Sequence, residues 1–174
     1  DRGSPLAEQP GDVRSGEAAA DHESSSRCFT PAVATSYDRT VARQVSVVGS
    51  GAQHEAAAAE VGRLLAERGC TVVTGGLGEV MAAAHRGAKE AGGTTIAILP
   101  GETHADANPW ADHVVVTGIG HARNLAVAAS GHAVIAIGGS YGTLAEIGFA
   151  MRLGRPVVAL GAVFEDSIVF DVLR

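Results

Sequence analysis

Short apolar runs alternate with alanine-rich stretches along most of the chain, from Gln44 onward. Six of these runs are apolar almost throughout rather than at every second position. That pattern is typical of strands buried on both faces of a parallel sheet. The runs therefore predict strands over 45–48, 71–73, 95–99, 113–116, 133–137 and 156–160.

The stretches between these runs predict four helices, over 55–68, 79–91, 122–129 and 143–153. Glycine follows three of them, at Gly69, Gly92 and Gly154, and glycine is the residue expected just past a helix end. Strands that alternate with helices predict right-handed βαβ units. The expected fold is α/β, a doubly wound and mostly parallel Rossmann-like sheet of five to six strands with helices on both faces.

The first 40 residues lack this pattern. They are rich in Gly, Ser and Pro and hold seven acidic and four basic residues. Such a segment buries too little apolar area to offset the entropy of ordering, so a disordered N-terminal tail is predicted over 1–40. It contains no apolar stretch of the kind found in secretory signals. A single Rossmann-like domain is predicted over 41–174.

Composition narrows the class of protein. The chain has 174 residues, 46% hydrophobic, and a formal net charge of −6. The acidic balance and an aromatic content of 4% argue against nucleic-acid binding, and the absence of a long apolar run argues against a membrane span. Cys28 and Cys70 form no CxxC motif, so no metal site is predicted and a cytoplasmic location is expected. Helices rich in Ala and Gly predict a thin core, and a homodimer or homotetramer joined through helix faces.

Three glycine-containing turns follow predicted strands, and in a parallel sheet they meet at one edge. Each precedes a helix, so backbone N–H groups and a helix N-terminus can receive an anion. The turns predict a phosphate-bearing small molecule as ligand. The alternative is that the glycines only make tight connections. The candidate binding residues in the turns are Gly49, Ser50, Gly75, Gly76, Gly78, Gly138, Gly139, Ser140, Tyr141, Gly142 and Thr143.

Common cofactor sites fit poorly, so no cofactor is required by the sequence. A dinucleotide site is disfavoured because His54 stands where the third glycine is expected, and no acidic residue follows the second strand. No Gly-Lys-Ser/Thr motif is present, which excludes a Walker A loop. Lys89 is the only lysine and falls within a predicted helix, so pyridoxal chemistry is rejected.

Arg123 and Glu146 are the candidate catalytic residues. Arg123 falls in the first turn of the third helix, where a cation opposes the helix dipole by about 0.3–1 kcal/mol. An anionic ligand would compensate, and the alternative is an ion pair with a carboxylate such as Asp112. Thr143 to Glu146 reads as a capping box. The same position would instead aim the Glu146 carboxylate at sugar hydroxyls or a developing oxocarbenium ion.

Several aromatic and histidine side chains have weaker predictions. His54 and His121 neighbour the candidate turns and are within possible reach of a ligand. Trp110, in the long loop after the third strand, either covers the site or packs over the sheet edge. The remaining histidines are expected at the surface or at strand ends: His85, His104, His113 and His132.

Six motifs, taken in order, resemble the Lonely Guy (LOG)-like superfamily of Rossmann proteins. They are Thr74-Gly75-Gly76, Gly78 to Met81, Gly87 to Gly93, Leu99-Pro100-Gly101, Ala122-Arg123-Asn124 and Gly138 to Glu146. The superfamily includes cytokinin riboside 5′-monophosphate phosphoribohydrolases and molybdenum cofactor carrier proteins. The resemblance covers Val45 to Gly161, and the short chain looks closer to the compact branch that contains the carriers.

The resemblance implies roles for particular residues. The hydrolases of the superfamily have an arginine before the fifth strand and a Pro-Gly-Gly-x-Gly-Thr-x-Glu-Glu motif after it. The resemblance therefore implies catalytic roles for Arg123 and Glu146. It also implies that Met81 and Asn124 contact the ligand. This chain departs from the motif at two positions, because Ile137 replaces the proline and Ala145 replaces the first glutamate. One extra residue also separates the second and third glycines.

The leading interpretation is a nucleotide-phosphate-binding protein with phosphoribohydrolase chemistry. In it, Arg123 and Glu146 assist cleavage of the N-glycosidic bond of a nucleoside 5′-monophosphate of the cytokinin riboside or AMP type. The alternative is a non-catalytic carrier that holds molybdenum cofactor as a bound ligand through its phosphate. A third interpretation is a nucleotide-sensing module.

Overall fold

The computed structural model describes residues 42–161. The predicted tail over 1–40 and the end of the predicted domain, from 162 onward, lie outside these residues. Ten principal elements follow in order. They are β1 (Gln44–Ser50), α1 (Glu55–Glu67), β2 (Thr71–Thr74), α2 (Glu79–Glu90), β3 (Thr95–Leu99), β4 (His113–Val116), α3 (Arg123–Ser130), β5 (Ala133–Gly138), α4 (Tyr141–Arg152) and β6 (Val157–Leu160). All six predicted strands and all four predicted helices are present.

The six strands form one parallel sheet in the order β4-β3-β2-β1-β5-β6. This confirms the predicted α/β Rossmann-like fold. The strand order reverses between β1 and β5, whose pairing ends at Ser50 opposite Gly138. Ligands of doubly wound sheets bind at such a reversal, beyond the carboxyl ends of the strands. That side of the sheet is called the carboxyl edge below.

Each face of the sheet carries its own apolar cluster, because successive strand side chains point to opposite faces. Val47 and Val72 pack with alanines of α1 and α2, whereas Val48 and Val73 pack with α3 and α4. Both clusters rely on small side chains, as the alanine-rich helices predicted.

Glycine brings α1 and α2 into backbone contact. A Cβ built on Gly62 would lie 1.9 Å from the carbonyl oxygen of Ala84, and one on Gly87 would lie 1.9 Å from that of Ala59. Only hydrogen fits at these two positions. The close helix pair holds the glycine turn between β2 and α2 against the sheet.

The boundary of α4 differs from the prediction in a way that matters for the site. The helix begins at Tyr141, two residues before the expected start at Thr143. Gly138 and Gly139 have φ angles of 57° and 125°, which let the chain turn sharply directly after β5. The helix therefore starts closer to the sheet, and its first turn lies at the carboxyl edge.

Candidate functional site

Arg123 is the first residue of α3, and its side chain turns inward. The residue is 8% exposed, and its guanidinium lies against the backbone of Gly75, at the end of β2. A Cβ built on Gly75 would lie 2.2 Å from Arg123 Nη1 and 2.6 Å from Cζ. A side chain at position 75 would displace the guanidinium, which occupies that space.

Glu146 lies one turn into α4 and faces the same guanidinium. Its Oε1 is 3.3 Å from Arg123 Nη1, and the residue is 6% exposed. Burial raises the pKa of Glu146 to about 7, although the nearby Arg123 charge pulls it down. Burial likewise lowers the pKa of Arg123, and Glu146 opposes that shift. Arg123 and Glu146 are called the charged pair below.

The hydrogen bonding of the charged pair is incomplete. One contact of 3.3 Å joins the two side chains, which is long for an ion pair with charged donor and acceptor. Arg123 Nε is buried and has no hydrogen-bond partner within residues 42–161. Buried polar atoms are nearly always paired, so an unpaired one marks a place that a ligand or a water molecule can complete.

The N-terminus of α4 is open beside the charged pair. Its N-cap, Ser140, makes no side-chain hydrogen bond to the helix, and the Ser140 carbonyl accepts from Leu144 N–H. The amides of the first turn, from Tyr141 to Thr143, have no acceptor within the helix. Such amides, together with the helix dipole, favour an anion.

Asn124 and Thr143 connect the two helix starts. Asn124 is 7% exposed, and its Nδ2 lies 3.5 Å from the carbonyl oxygen of Gly142. Thr143 is 4% exposed and packs against Gly139, where a built Cβ would lie 2.6 Å from Thr143 Oγ1. The start of α3 thus meets the start of α4, and the two predicted catalytic residues lie beside the fifth-strand turn.

The first glycine turn lies on the same edge for a steric reason. A Cβ built on Gly49 would be 2.0 Å from the carbonyl oxygen of Ile137, so glycine allows β1 to approach β5. Ser50 pairs in register with Gly138 at the end of the strands. The half-buried His54 ring packs against Gly138, where a built Cβ would be 2.2 Å from His54 Cδ2.

Only part of the second glycine turn, over 75–78, is free to contact a ligand. The N–H of Gly76 donates to Thr74 Oγ1 at 3.0 Å, and the Gly76 carbonyl accepts from Asn108 N–H at 2.9 Å. The Gly76 peptide is therefore used inside the protein rather than free for a phosphate. Gly78 is exposed as the N-cap of α2, and Met81 Cε lies 3.6 Å from a Cβ built there.

Two structural interpretations from the sequence are wrong. Thr143 does not cap α4, because the helix begins at Tyr141 with Ser140 as N-cap, so the expected capping box with Glu146 does not form. Asp112 does not pair with Arg123, because its carboxylate accepts from Lys89 Nζ at 2.6 Å.

The structure decides against one of the two alternatives for Trp110 and corrects the prediction for His85. Trp110 does not cover the site, because its carbonyl accepts from the hydroxyl of Thr95, at the opposite end of β3 from the carboxyl edge. His85 is neither at the surface nor at a strand end, but fully buried on α2. An apolar and alanine-rich setting on one helix face was the signal that would have placed it in the core. His121 is exposed.

Among residues 42–161, no group of three or more His, Cys, Asp or Glu side chains is arranged to hold a metal ion. In the same range no helix combines the length and apolar character needed to cross a membrane.

The parallel sheet, its strand reversal and the buried charged pair at the carboxyl edge define a Rossmann-like protein with a candidate anion site. More narrowly, the chain belongs to the SLOG cluster4 family, whose model matches residues 42–173. This confirms the resemblance to the LOG-like superfamily.

Similar proteins include a molybdenum cofactor binding protein and a molybdenum cofactor carrier protein. An uncharacterized protein of Archaeoglobus fulgidus is 41% identical over 133 residues, which cover 74% of this chain and 87% of that protein. The molybdenum cofactor binding protein of Rippkaea orientalis is 33% identical, with a TM-score of 0.69, over 76% of this chain and 85% of that chain. The molybdenum cofactor carrier protein of Chlamydomonas reinhardtii is 36% identical, with a TM-score of 0.67 and the same coverage.

Proposed function

We propose that the protein binds the phosphate group of a small molecule between the Arg123 guanidinium and the first amides of α4. The observation that carries the proposal is the buried charged pair next to the uncapped start of α4, where Arg123 Nε also lacks a partner within residues 42–161. A phosphate oxygen at this place would accept from the guanidinium and from uncapped helix amides at once. The formal net charge of −6 favours a small molecule over a nucleic acid.

In the charged pair, Arg123 can exchange Glu146 for a phosphate group. Glu146 has a pKa of about 7, so near neutral pH it is held only partly as the ion that neutralises Arg123. A phosphate group with up to two negative charges would compete for the same guanidinium. When it binds, Glu146 loses its cation, and taking up a proton then removes the cost of a buried, unpaired carboxylate.

A molybdenum cofactor of the pterin type is the first ligand we propose, held without chemical change. The likeness to the binding protein of Rippkaea orientalis and the carrier of Chlamydomonas reinhardtii supports it. The residues present fit the phosphate of such a cofactor, since the Arg123–Glu146 and Asn124–Gly142 contacts bring the start of α3 to the start of α4. As cargo, the cofactor would be held by this phosphate grip.

Co-purification tests the carrier function. The wild-type protein is expressed in cells that make molybdenum cofactor, purified and denatured under oxidising conditions, and the released pterin is measured by fluorescence. We expect pterin with the wild type and little with Arg123→Met. Equal, background-level fluorescence from both proteins would contradict the carrier function.

Hydrolysis of a nucleoside 5′-monophosphate is a second candidate, favoured by Glu146. A carboxyl group with a pKa of about 7 is available in both protonation states at neutral pH, as general acid-base catalysis requires. Water would replace the base at the anomeric carbon, and free base and ribose 5-phosphate would leave. Ala145, in place of the first motif glutamate, removes one carboxylate that the hydrolases have.

Release of free base distinguishes the two candidates. Purified protein is incubated with AMP and with N6-substituted AMP, and the base is detected by chromatography. Release that disappears in Glu146→Ala supports hydrolysis. Release no greater than in that variant leaves binding without catalysis.

We also propose that the protein self-associates through exposed apolar residues of α3 and α4. They are Leu125 on α3, Tyr141, Phe149 and Met151 on α4, and Leu153 directly after α4. Exposed apolar area of this kind is typical of contact surfaces. Sedimentation velocity is expected to give a dimer or tetramer, and a monomer at all concentrations would contradict this.

A further inference from the structure

A second buried polar group adjoins the Gly75–Gly76 turn from the side of α2. It consists of Thr74, His85 and Asn108, called the neutral cluster below. Thr74 and His85 are fully buried, and Thr74 Oγ1 lies 3.1 Å from His85 Nε2. His85 Nδ1 lies 3.3 Å from Asn108 Oδ1. None of these residues belongs to the charged pair, yet their hydrogen bonds lead to the turn on which Arg123 lies.

The Asn108 amide is held from both sides. Trp110 N–H donates to Asn108 Oδ1 at 3.1 Å, and Asn108 Nδ2 donates to the Gly76 carbonyl at 3.1 Å. His85 Nδ1 lies 3.3 Å from Asn108 Oδ1 and 3.2 Å from Asn108 Nδ2. Burial lowers the pKa of His85 to about 4, so the ring is neutral, with one nitrogen that donates and one that accepts.

The hydrogen bonds close into a ring that begins and ends at Gly76. Gly76 N–H donates to Thr74 Oγ1, which shares a hydrogen bond with His85 Nε2, and the other ring nitrogen contacts the Asn108 amide, whose Nδ2 donates to the Gly76 carbonyl. Both peptide planes beside Gly76 are therefore held. A peptide is planar, so holding Gly76 N–H also fixes the carbonyl of Gly75. Gly75 is the residue against which the Arg123 guanidinium packs.

We propose that Thr74, His85 and Asn108 are positioning residues of the phosphate site, which fix the Gly75 backbone and thereby the place of the Arg123 guanidinium. The proposal rests on the proposed phosphate binding by Arg123 and assigns its precision to residues that do not touch the ligand. A guanidinium that must meet both a phosphate and the amides of α4 needs a rigid support, because misplaced binding groups lose affinity steeply.

Thr74→Val tests the proposal against a matched control. Valine keeps the shape of threonine but leaves Gly76 N–H without its acceptor. Thr71→Val is the control, because Thr71 is also buried and lies at the start of the same strand, away from the Gly75–Gly76 turn. With AMP as the probe in calorimetry, we expect Thr74→Val to weaken binding at least tenfold. Thr71→Val should change affinity less than twofold.

Two further variants separate positioning from general loss of structure. Thr74→Ser keeps the hydroxyl and should restore affinity to within about threefold of the wild type. In an Arg123→Lys background, whose shorter, non-planar cation does not pack on Gly75, adding Thr74→Val should change affinity less than twofold. If Thr74→Val does not fold, Asn108→Asp replaces it, since aspartate keeps the acceptor but loses the donor to Gly76.

An NMR measurement without ligand tests this inference separately from the proposed function. The Arg123 Nε–Hε signal in a nitrogen-15 NMR spectrum is assigned by its loss in Arg123→Lys. We expect the signal to move in Thr74→Val and to stay in place in Thr71→Val. If the wild type binds AMP but Thr74→Val binds equally well, the inference is wrong and phosphate binding stands. If AMP does not bind, the proposed binding of this probe fails, and an unmoved Arg123 signal would overturn the inference as well.

Discussion

The charged pair and the neutral cluster lie on either side of the Gly75–Gly76 turn, and they satisfy their polar atoms very differently. In the neutral cluster every donor and acceptor of the ring has a partner inside the protein. In the charged pair one contact of 3.3 Å joins two ions, and Arg123 Nε has no partner among residues 42–161. A complete network rigidifies its surroundings, whereas an incomplete charged one is costly unless something else completes it. This difference is the reason why we propose the charged pair as the place for a ligand and the neutral cluster as its support.

The largest expected effect comes from breaking the charged pair. Glu146→Leu leaves the Arg123 charge buried without a carboxylate, and we expect a loss of about 3–5 kcal/mol in the free energy of unfolding. Adding Arg123→Met removes that charge and should recover most of the loss. Urea unfolding in phosphate-free buffer measures both variants. A double variant as unstable as Glu146→Leu would show that charge burial is not the cause.

In the neutral cluster, a second substitution should not restore the stability that a first one removes. His85→Leu leaves Thr74 and Asn108 each with an unpaired polar atom, so no single second substitution restores stability. The same urea measurements make this comparison.

Opposite pH dependences are the next largest effect. The pKa of Glu146 is raised to about 7 from 4.5, so its contribution to stability is present below pH 4.5 and lost as pH rises to 7. The pKa of His85 is lowered to about 4 from 6.5, so its contribution is present above pH 6.5 and lost as pH falls to 4. Between pH 4.5 and 6.5 the two slopes oppose each other, each by up to about 1.4 kcal/mol per pH unit.

Variants that each remove one titrating group show the two pH dependences of stability separately. Relative to the wild type, the stability of Glu146→Gln should rise more steeply with pH over this range, and that of His85→Gln should fall. Chemical unfolding at half-unit pH steps measures this. Parallel curves for the two variants would contradict the assignment of protonation states.

Gly75→Ala tests the contact between the two groups. Its Cβ would take the place of the Arg123 guanidinium, so AMP binding should weaken about 30-fold, or about 2 kcal/mol. Gly92→Ala is a fitting control for strain, because Gly92 has positive φ and no heavy atom within 4 Å of a built Cβ. An unchanged affinity in Gly75→Ala would separate Arg123 from the turn.

Thr143→Val is expected to have the smallest effect. The variant removes one hydroxyl near the open end of α4, and one hydrogen bond to a charged group contributes about 1.5–3 kcal/mol. We expect AMP affinity to fall about tenfold, at the lower end of this range, with little change in melting temperature. Calorimetry that shows full affinity would exclude the hydroxyl from the binding site.

The fold was predictable because strands buried on both faces leave uninterrupted apolar runs, and 113–116 and 133–137 match β4 and β5 closely. The glycine turns predicted which edge of the sheet carries the candidate site. The start of α4 was not predictable, since the φ angles of Gly138 and Gly139 decide it rather than the capping signal at Thr143. The neutral cluster could not be predicted from the sequence for another reason. Its members lie far apart in sequence, and spacing cannot show that Asn108 in a loop meets His85 on a helix.

The central claim is that the Arg123 guanidinium binds a phosphate, and Arg155 provides the matched control for it. Both arginines have a buried Nε without a partner within residues 42–161, but Arg155 Nη2 donates to the carbonyl of Ala129 at the end of α3, away from the carboxyl edge. Calorimetric titration of AMP into Arg123→Gln and Arg155→Gln is therefore the most direct test. We predict at least a 30-fold loss of affinity for Arg123→Gln and less than a twofold change for Arg155→Gln. Equal affinities in both variants and the wild type would contradict the claim.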